Sequence, residues 1–117
     1  MIKIDEAIAF ARSLPEAIEL PHFEKTSFRV KKKIFVTLDK TTSVVVVKLS
    51  VADQSVFSDA KHQIIYPVKG AWGKQGWTKI ELKKVGKKLF RDAVVTSYKN
   101  VAPKGLSETL TSARDNY

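Results

Sequence analysis

Lysine is the side chain with the clearest chemical potential in this chain, and two lysine clusters could contact phosphate. Lys31–Lys33 follow one another at an expected hairpin tip, and the lysines of Lys83–Lys88 straddle a strand end and a helix start. An ammonium group fits phosphate as a point charge, and a hairpin tip can enter a nucleic-acid groove as a wing. Such runs are also commonly solvated, and edge lysines block edge-to-edge aggregation. Both interpretations stay open.

The charge balance of the chain favours an anionic partner. The formal net charge is +9, and residues 25–104 hold 18 of the 21 basic residues but 5 of the 12 acidic ones. A surface this basic attracts polyanions, because each neutralised phosphate releases a condensed counterion. Lysine outnumbers arginine by 17 to 4, whereas base readout relies on the bidentate fork of arginine. Any nucleic-acid binding is therefore expected to be non-specific.

A glycine-rich loop over residues 69–76 carries Trp72 beside Lys69 and Lys74. An exposed Trp72 could stack on a base or on a small planar ligand. A buried Trp72 would cover the sheet and donate its indole N–H to a carbonyl, and we favour this structural role. Trp77, at the start of a strand, is likewise interpreted as structural. The glycine spacing fits neither a Walker A loop nor a dinucleotide fingerprint.

A catalytic or metal-binding set is not predicted. Glu19, His22 and Glu24 could in principle bind a metal or act as acid and base, and His62, beside Asp59, could join them. No metalloprotease-like spacing connects them, so His22 is interpreted as a satisfied loop histidine. Cysteine is absent, which excludes thiolate nucleophiles and cysteine-ligated zinc. No serine lies in a nucleophile elbow. We expect no enzyme activity and no cofactor.

The elements that must position these residues begin with an amphipathic helix. Apolar residues recur at spacings of three and four; they are Ile4, Ala7, Ile8, Ala11 and Leu14. Pro15 ends this helix, because the residue before a proline is pushed out of the α region.

An antiparallel meander is predicted next. Ser27–Val30, Ile34–Leu38 and Ser43–Leu49 are rich in β-branched and aromatic residues, as half-buried strands prefer. Valines on both faces of the third strand predict a central strand that is covered on both sides for part of its length. Lys48 in that strand indicates that one face reaches solvent or a polar groove. Its stem could also snorkel to the rim.

The remaining elements alternate between helix and strand. They are a helix from the capping box Ser50–Asp53 to about Ala60, strands Ile64–Val68 and Trp77–Leu82, a long helix ending before Pro103, and a possible short terminal helix with Leu106 and Leu110. In the last strand Thr78, Ile80 and Leu82 are expected to point inward. The pattern predicts a two-layer α+β domain, α-β(3)-α-β(2)-α, with helices packed on an antiparallel sheet.

The chain resembles the MmcQ/YjbR family in a series of short motifs that occur in order over about residues 1–112. These are Ser13–Ala17, Ser27–Val30, Lys33–Leu38, Val47–Leu49, Gly76–Trp77 and Ser97–Tyr98. The resemblance implies a CyaY-like or double-wing fold, similar to that of type III secretion chaperones. It also implies a DNA-binding label that rests on fold analogy, and it brings no agreed catalytic residues. Relatives often place glycine or asparagine where this chain has Lys31 and Lys32.

The leading hypothesis is a single domain over residues 1–117 that binds DNA or RNA non-specifically. Its proposed contacts are Arg29, Lys31, Lys32, Lys33, Trp72, Lys74, Lys83, Lys84, Lys87 and Lys88. The alternative is a module for a protein partner or a small anionic ligand, with Lys48, Tyr66 and Trp72 as the ligand site. The first fifteen residues resemble neither a signal peptide nor a transit peptide, and no apolar run is long enough to span a membrane. We expect a cytoplasmic monomer or weak dimer.

Overall fold

A computed structural model describes residues 1–106 of the chain. Its elements are α1 (Ile4–Ser13), β1 (Ile18–His22), β2 (Lys25–Val30), β3 (Lys33–Asp39), β4 (Val44–Lys48), α2 (Val51–Phe57), β5 (Ile65–Pro67), α3 (Ala71–Lys74), β6 (Trp77–Glu81) and α4 (Lys87–Val101). Residues 104–106 are again helical, while Leu110 of the expected terminal helix lies outside the described residues. None of the helices described combines the length and the apolar character needed to cross a bilayer.

The strands form a single antiparallel sheet in the order β1-β2-β3-β4-β6-β5. The first four make a meander. The chain then passes through α2 to form β5 at the far edge, and it returns as β6 between β5 and β4. This return places Lys79 opposite both Val46 of β4 and Tyr66 of β5. Strand order therefore decides which side chains of the second half face those of the first.

The core lies between the sheet and the helices α1 and α4. The helix α4 packs on β3 and β4, and α1 packs on β3. Tyr98 of α4 lies edge-on to Phe35 with ring centroids 5.2 Å apart, and its hydroxyl donates to the carbonyl of Pro15 at 2.6 Å. Burial raises the pKa of Tyr98, so its hydroxyl remains a donor at neutral pH. These contacts join the end of α1 to the sheet through α4.

A buried serine fixes α4 against two neighbouring strands. The Ser97 hydroxyl donates to the carbonyl of Phe35 at 2.6 Å and accepts the backbone N–H of Lys48 at 2.8 Å. One turn later, the Asn100 side chain donates to the carbonyl of Lys48 at 3.3 Å. The Ser97–Tyr98 motif is thus structural, because its side chains attach α4 to β3 and β4.

The α+β class, the antiparallel sheet and its packing helices are confirmed. Thr78, Ile80 and Leu82 are buried, as the alternation predicts. The Ser50 hydroxyl accepts the backbone N–H of Asp53 at 3.1 Å, which is the predicted cap. The helix that follows is shorter than expected: α2 ends at Phe57, and the next residues form a turn in which the Asp59 carboxylate accepts backbone N–H groups.

Two elements were not predicted, the edge strand β1 and the short helix α3. The strand β1 contains Pro21, which argues against a central strand but is tolerated at an edge. Pro21 pairs with Thr26 of β2. The one-turn helix α3 lies inside the glycine-rich segment that was interpreted as a loop.

The third strand of the predicted meander, β4, is central in the sheet, and it is fully covered on one face and partly covered on the other. Val45 and Val47 of β4 are fully buried beneath the helices. Val44 and Val46 are half-buried on the opposite face, where they line cavities open to solvent. One face of the sheet is therefore available for binding.

Candidate nucleic-acid interface

The open face of the sheet carries a row of side chains that crosses all six strands. Antiparallel partners share a face, so the pairings define the row. In strand order its members are Leu20, Ser27, Thr37, Val46, Lys79 and Tyr66. A second row lies nearer the β2–β3 turn, where Arg29 pairs with Ile34 and Lys48 pairs with Trp77. The middle of the face is thus apolar or neutral except for Lys79, and the end nearer the β2–β3 turn is cationic.

An apolar cavity of about 540 Å³ lies over the centre of this face. Its floor includes Ile34, Thr37 and Val46, and two tryptophans, Trp72 and Trp77, contribute to its walls. The remaining lining residues are Val68, His22, Lys25 and Lys79. Apolar walls with a few polar or charged groups are typical of sites that bind small organic groups.

A cationic cavity of about 480 Å³ adjoins the first one and shares Ile34 and Trp77 with it. Four cationic side chains line it, together with the end of α4; they are Arg29, Lys32, Lys33 and Lys48. We call the two cavities together the sheet groove. Neither cavity has a carboxylate among the residues that line it in the described part of the chain.

Lys48 is engaged with the protein as well as lining the cationic cavity. Its ammonium group donates to the carbonyl of Gln75 at 2.6 Å and lies 6.0 Å from the centroid of the Trp77 ring. These contacts place the end of α3 and the Trp77 indole beside the cation. Lys48 therefore helps to shape the groove and contributes positive charge to it.

A buried glutamine, Gln54 of α2, joins the tryptophan-bearing segments. Its amide nitrogen lies 2.9 Å from the carbonyl oxygen of Gly73 and 3.1 Å from the hydroxyl of Thr78. The amide thus connects α3, which carries Trp72, to β6, which begins with Trp77. Sequence reasoning missed Gln54, because a glutamine in a short helix carries no signal of burial.

Two glycines allow the same segment to lie against the backbone of its neighbours. A Cβ atom at Gly73 would lie 1.8 Å from the carbonyl oxygen of Val68, and one at Gly76 would lie 1.8 Å from that of Leu49. Gly76 also has a φ of +105°, which L-residues rarely adopt. The glycine pattern therefore reflects close backbone approach and positions both indoles.

The β2–β3 hairpin tip is a tight turn made by two lysines. Lys31 and Lys32 have φ values of 50° and 71°, as required at the two central positions of a type I′ turn. The Lys31 ammonium pairs with Glu16 at 2.8 Å on the surface. Lys32 and Lys33 line the cationic cavity. Of the three lysines at the tip, one therefore forms a surface ion pair and two contribute positive charge to the groove.

Replacing Lys31 by Asn and Lys32 by Gly is expected to raise the free energy of unfolding by about 1 kcal/mol, because Asn-Gly adopts this turn without the left-handed penalty of other residues. The variant also loses the ion pair between Lys31 and Glu16. Because this pair is exposed, its loss lowers the free energy of unfolding by less than about 1 kcal/mol. Urea denaturation measures the change. The control K31S/K32S removes the same charges but retains the steric cost, so a stabilisation of equal size there would contradict this explanation.

The second predicted lysine cluster lies at the opposite end of the sheet. Lys83 and Lys84 follow β6 beyond Glu81, whereas the β2–β3 tip adjoins the end of β4 at Lys48. The seven residues of β3 separate these ends by roughly 20 Å. Lys87 pairs with Glu6 at 3.1 Å, and Lys88 is exposed on the first turn of α4. The two clusters do not converge.

The expected burial of Trp72 is wrong, since 62% of this residue is exposed. The helix α3 carries the indole to the wall of the apolar cavity instead of covering the sheet. Lys74 of the same helix is exposed but does not line the cavity. Lys25, Lys79 and Trp77 do line it, and sequence reasoning did not assign them to a binding site.

Tyr66 lies on the open face beside Lys79 and donates its hydroxyl to the Glu81 carboxylate. This hydrogen bond, aided by partial burial and by the negative charge of Glu81, raises the pKa of Tyr66 to about 12. Tyr66 is therefore a neutral donor committed to Glu81. Of the alternative site, Lys48 lines the cationic cavity and Trp72 the apolar one, and Tyr66 is not among the lining residues of either.

The acidic and histidine residues singled out as possible ligands are dispersed. Glu19 pairs with Arg12 at 2.6 Å, and His22 at the end of β1 packs against Phe23. His62 lies 2.7 Å from Asp59 in a separate turn, and this hydrogen bond lowers the pKa of Asp59. Within residues 1–106, no three such side chains are close enough to hold a metal ion.

Comparison with known proteins places this architecture in a family. The family model YjbR matches residues 12–100 of the chain, which include the hairpin tip, both tryptophans and the Ser97–Tyr98 motif. The chain belongs to the YjbR family. No match was found among curated proteins.

A solved structure shows the same fold. The crystal structure of the Deinococcus radiodurans protein DR2400, which contains a domain of the family model DUF419, superposes on this YjbR-family chain with a TM-score of 0.73. The two sequences are 22% identical, and the match covers 86% of this chain and 78% of the other. At this identity the likeness concerns the fold alone. The chemistry of the sheet groove therefore depends on the residues of this chain.

Proposed function

We propose that this YjbR-family protein binds nucleic acid non-specifically through the sheet groove. One observation carries the proposal. Six cationic side chains line the two adjoining cavities without a carboxylate among the described residues of the lining; they are Lys25, Arg29, Lys32, Lys33, Lys48 and Lys79. Such a row of cations follows a phosphate backbone and gains affinity from counterion release.

The composition of the groove favours contact with the phosphate backbone of a nucleic acid over readout of its bases. Five of its six cations are lysines, which act as point charges. The guanidinium of Arg29 lies 3.3 Å from the Ser27 hydroxyl within its own strand. Lys83–Lys88, at the other end of the sheet, are assigned a solvating role. The proposed site thus differs from the set that the sequence suggested: it omits Lys83–Lys88 and adds Lys25 and Lys79.

A binding role for a protein partner is the second candidate. The edge strand β1 exposes Ile18 and Leu20, and Phe23 at the adjoining turn is 94% exposed. Edge strands with apolar side chains can pair with another chain. Replacing Phe23 by serine and measuring self-association by light scattering tests this candidate separately, because Phe23 does not line the sheet groove.

Fluorescence anisotropy of labelled single- and double-stranded DNA at several salt concentrations tests the leading proposal. With four to six phosphate contacts, we expect a slope of about −3 to −4 for log affinity against log salt on single strands, since each contact contributes roughly −0.7. We expect micromolar binding near physiological salt. Absence of binding at about 50 mM salt, where such contacts are strongest, would contradict the proposal.

A further inference from the structure

The apolar cavity has features that phosphate contact does not use. Its floor and walls include Ile34, Val46 and Val68, together with the rings of Trp72 and Trp77. Apolar side chains offer nothing to a phosphate, whereas flat aromatic rings are surfaces on which nucleobases stack. A volume of about 540 Å³ falls within the range of sites that hold a small organic group.

The backbone that follows Trp72 is held in place by surrounding contacts, although the indole itself is exposed. The Gln54 amide contacts the carbonyl of Gly73, and the Gly73 backbone lies directly against that of Val68. At the far end of α3, the Lys48 ammonium contacts the carbonyl of Gln75. A large aromatic side chain exposed on a fixed backbone is suited to binding, because less conformational freedom is lost when a ligand arrives.

Two cations accompany the aromatic walls. Lys25 of β2 and Lys79 of β6 line the same cavity from opposite sides of β3 and β4. A planar ring against the indoles would leave its sugar-phosphate group within the field of these ammonium groups. The cationic cavity, which shares Trp77, continues the same path. Base-binding and phosphate-binding surfaces are therefore contiguous.

We infer that the apolar cavity holds one unpaired nucleobase of a bound strand, stacked on Trp72, with the adjacent phosphates on Lys25 and Lys79. This inference rests on the proposed function and makes single-stranded RNA or DNA the substrate class. In a duplex each base is already stacked and paired, so placing it in the cavity would require its extrusion from the helix. The groove therefore prefers single strands over duplexes.

The inference is tested with two single-stranded DNA oligonucleotides of equal length, one of deoxythymidine and one in which every nucleotide is abasic. Both carry the same phosphate charges. We expect the oligonucleotide with bases to bind roughly 5- to 100-fold more tightly, as one stacked base contributes. We also expect it alone to quench tryptophan fluorescence, with the salt slopes of the two remaining equal.

Variants of Trp72 identify the stacking surface. Trp72→Ala is expected to bind the thymidine oligonucleotide nearly as weakly as the wild-type protein binds the abasic one. Trp72→Phe keeps a ring and is expected to retain most of the difference. Phe23→Ala is the matched control, because it removes an exposed aromatic side chain that does not line the groove. This control is expected to behave as wild type.

Equal affinities for the two oligonucleotides would overturn the base pocket and leave nucleic-acid binding intact. A preference for bases that persists in Trp72→Ala would also overturn it, since the stacking surface would lie elsewhere. Absence of binding to either oligonucleotide would instead contradict the proposed function itself. Repeating the titrations with uridine RNA separates the two sources of single strands, and duplex DNA is expected to bind more weakly than either.

Discussion

Gly76→Ala is expected to lower the free energy of unfolding by about 2 to 6 kcal/mol, the sum of backbone strain and steric overlap. The new Cβ would lie 1.8 Å from the carbonyl oxygen of Leu49, and φ at this position is +105°. Relief of the overlap requires α3 and the start of β6 to move away from the end of β4. Urea denaturation followed by circular dichroism measures the loss.

Substitutions at two other glycines distinguish the cost of backbone strain from the cost of steric overlap. Gly70 has a φ of +78° and a ψ of −151°, with open space around its Cβ position, so Gly70→Ala should show the backbone strain alone, about 1 to 3 kcal/mol. Gly86 precedes α4 with an extended backbone and open space, so Gly86→Ser should be neutral or slightly stabilising, within about 0.5 kcal/mol. Equal losses at Gly76 and Gly70 would show that the close approach to Leu49 is unimportant.

The variant R29S/K32S/K33S is expected to weaken single-strand binding roughly 100-fold at 0.1 M salt and to reduce the salt slope by about 2, because three phosphate contacts are removed. All three side chains line the cationic cavity. None of them belongs to the buried core, so the variant is expected to fold. Anisotropy titrations at several salt concentrations measure both quantities.

K83S/K84S/K88S is the matched control for that variant. It removes the same formal charge from exposed positions at the opposite end of the sheet. If the groove is the site, this control retains nearly all of the wild-type slope and loses little affinity. Similar losses in the two variants would show that binding follows net charge rather than the groove.

Local patterns predicted most of the fold. The alternation in Trp77–Glu81 and the spacing of apolar residues in α1 and α4 correctly indicate strand and helix, because burial on one side imposes a period. The edge strand β1 escaped prediction because most of its side chains are exposed and it contains Pro21. Neither feature is forbidden at an edge, but both resemble those of a loop.

The candidate site was predicted only in part. Arg29, Lys32, Lys33 and Lys48 were assigned to hypothetical binding sites from the sequence, and the structure places them together in the cationic cavity. Lys25 and Lys79 are far apart in the chain, and they line the same cavity only because β6 inserts beside β4. That strand order is a tertiary property, which local periodicity does not contain. The exposure of Trp72 likewise depends on backbone contacts made at Gly73 and Gly76.

The most direct test of binding at the sheet groove is a titration of the isotope-labelled protein with a short single-stranded oligonucleotide, followed by amide and indole NMR shifts. The chain has two tryptophans, so each indole N–H can be assigned by substitution. We expect both indole signals to shift, together with backbone amides of residues 29–34 and 46–48. Shifts confined to residues 83–88, or spread evenly over the lysines with both indoles unchanged, would contradict the assignment of the groove.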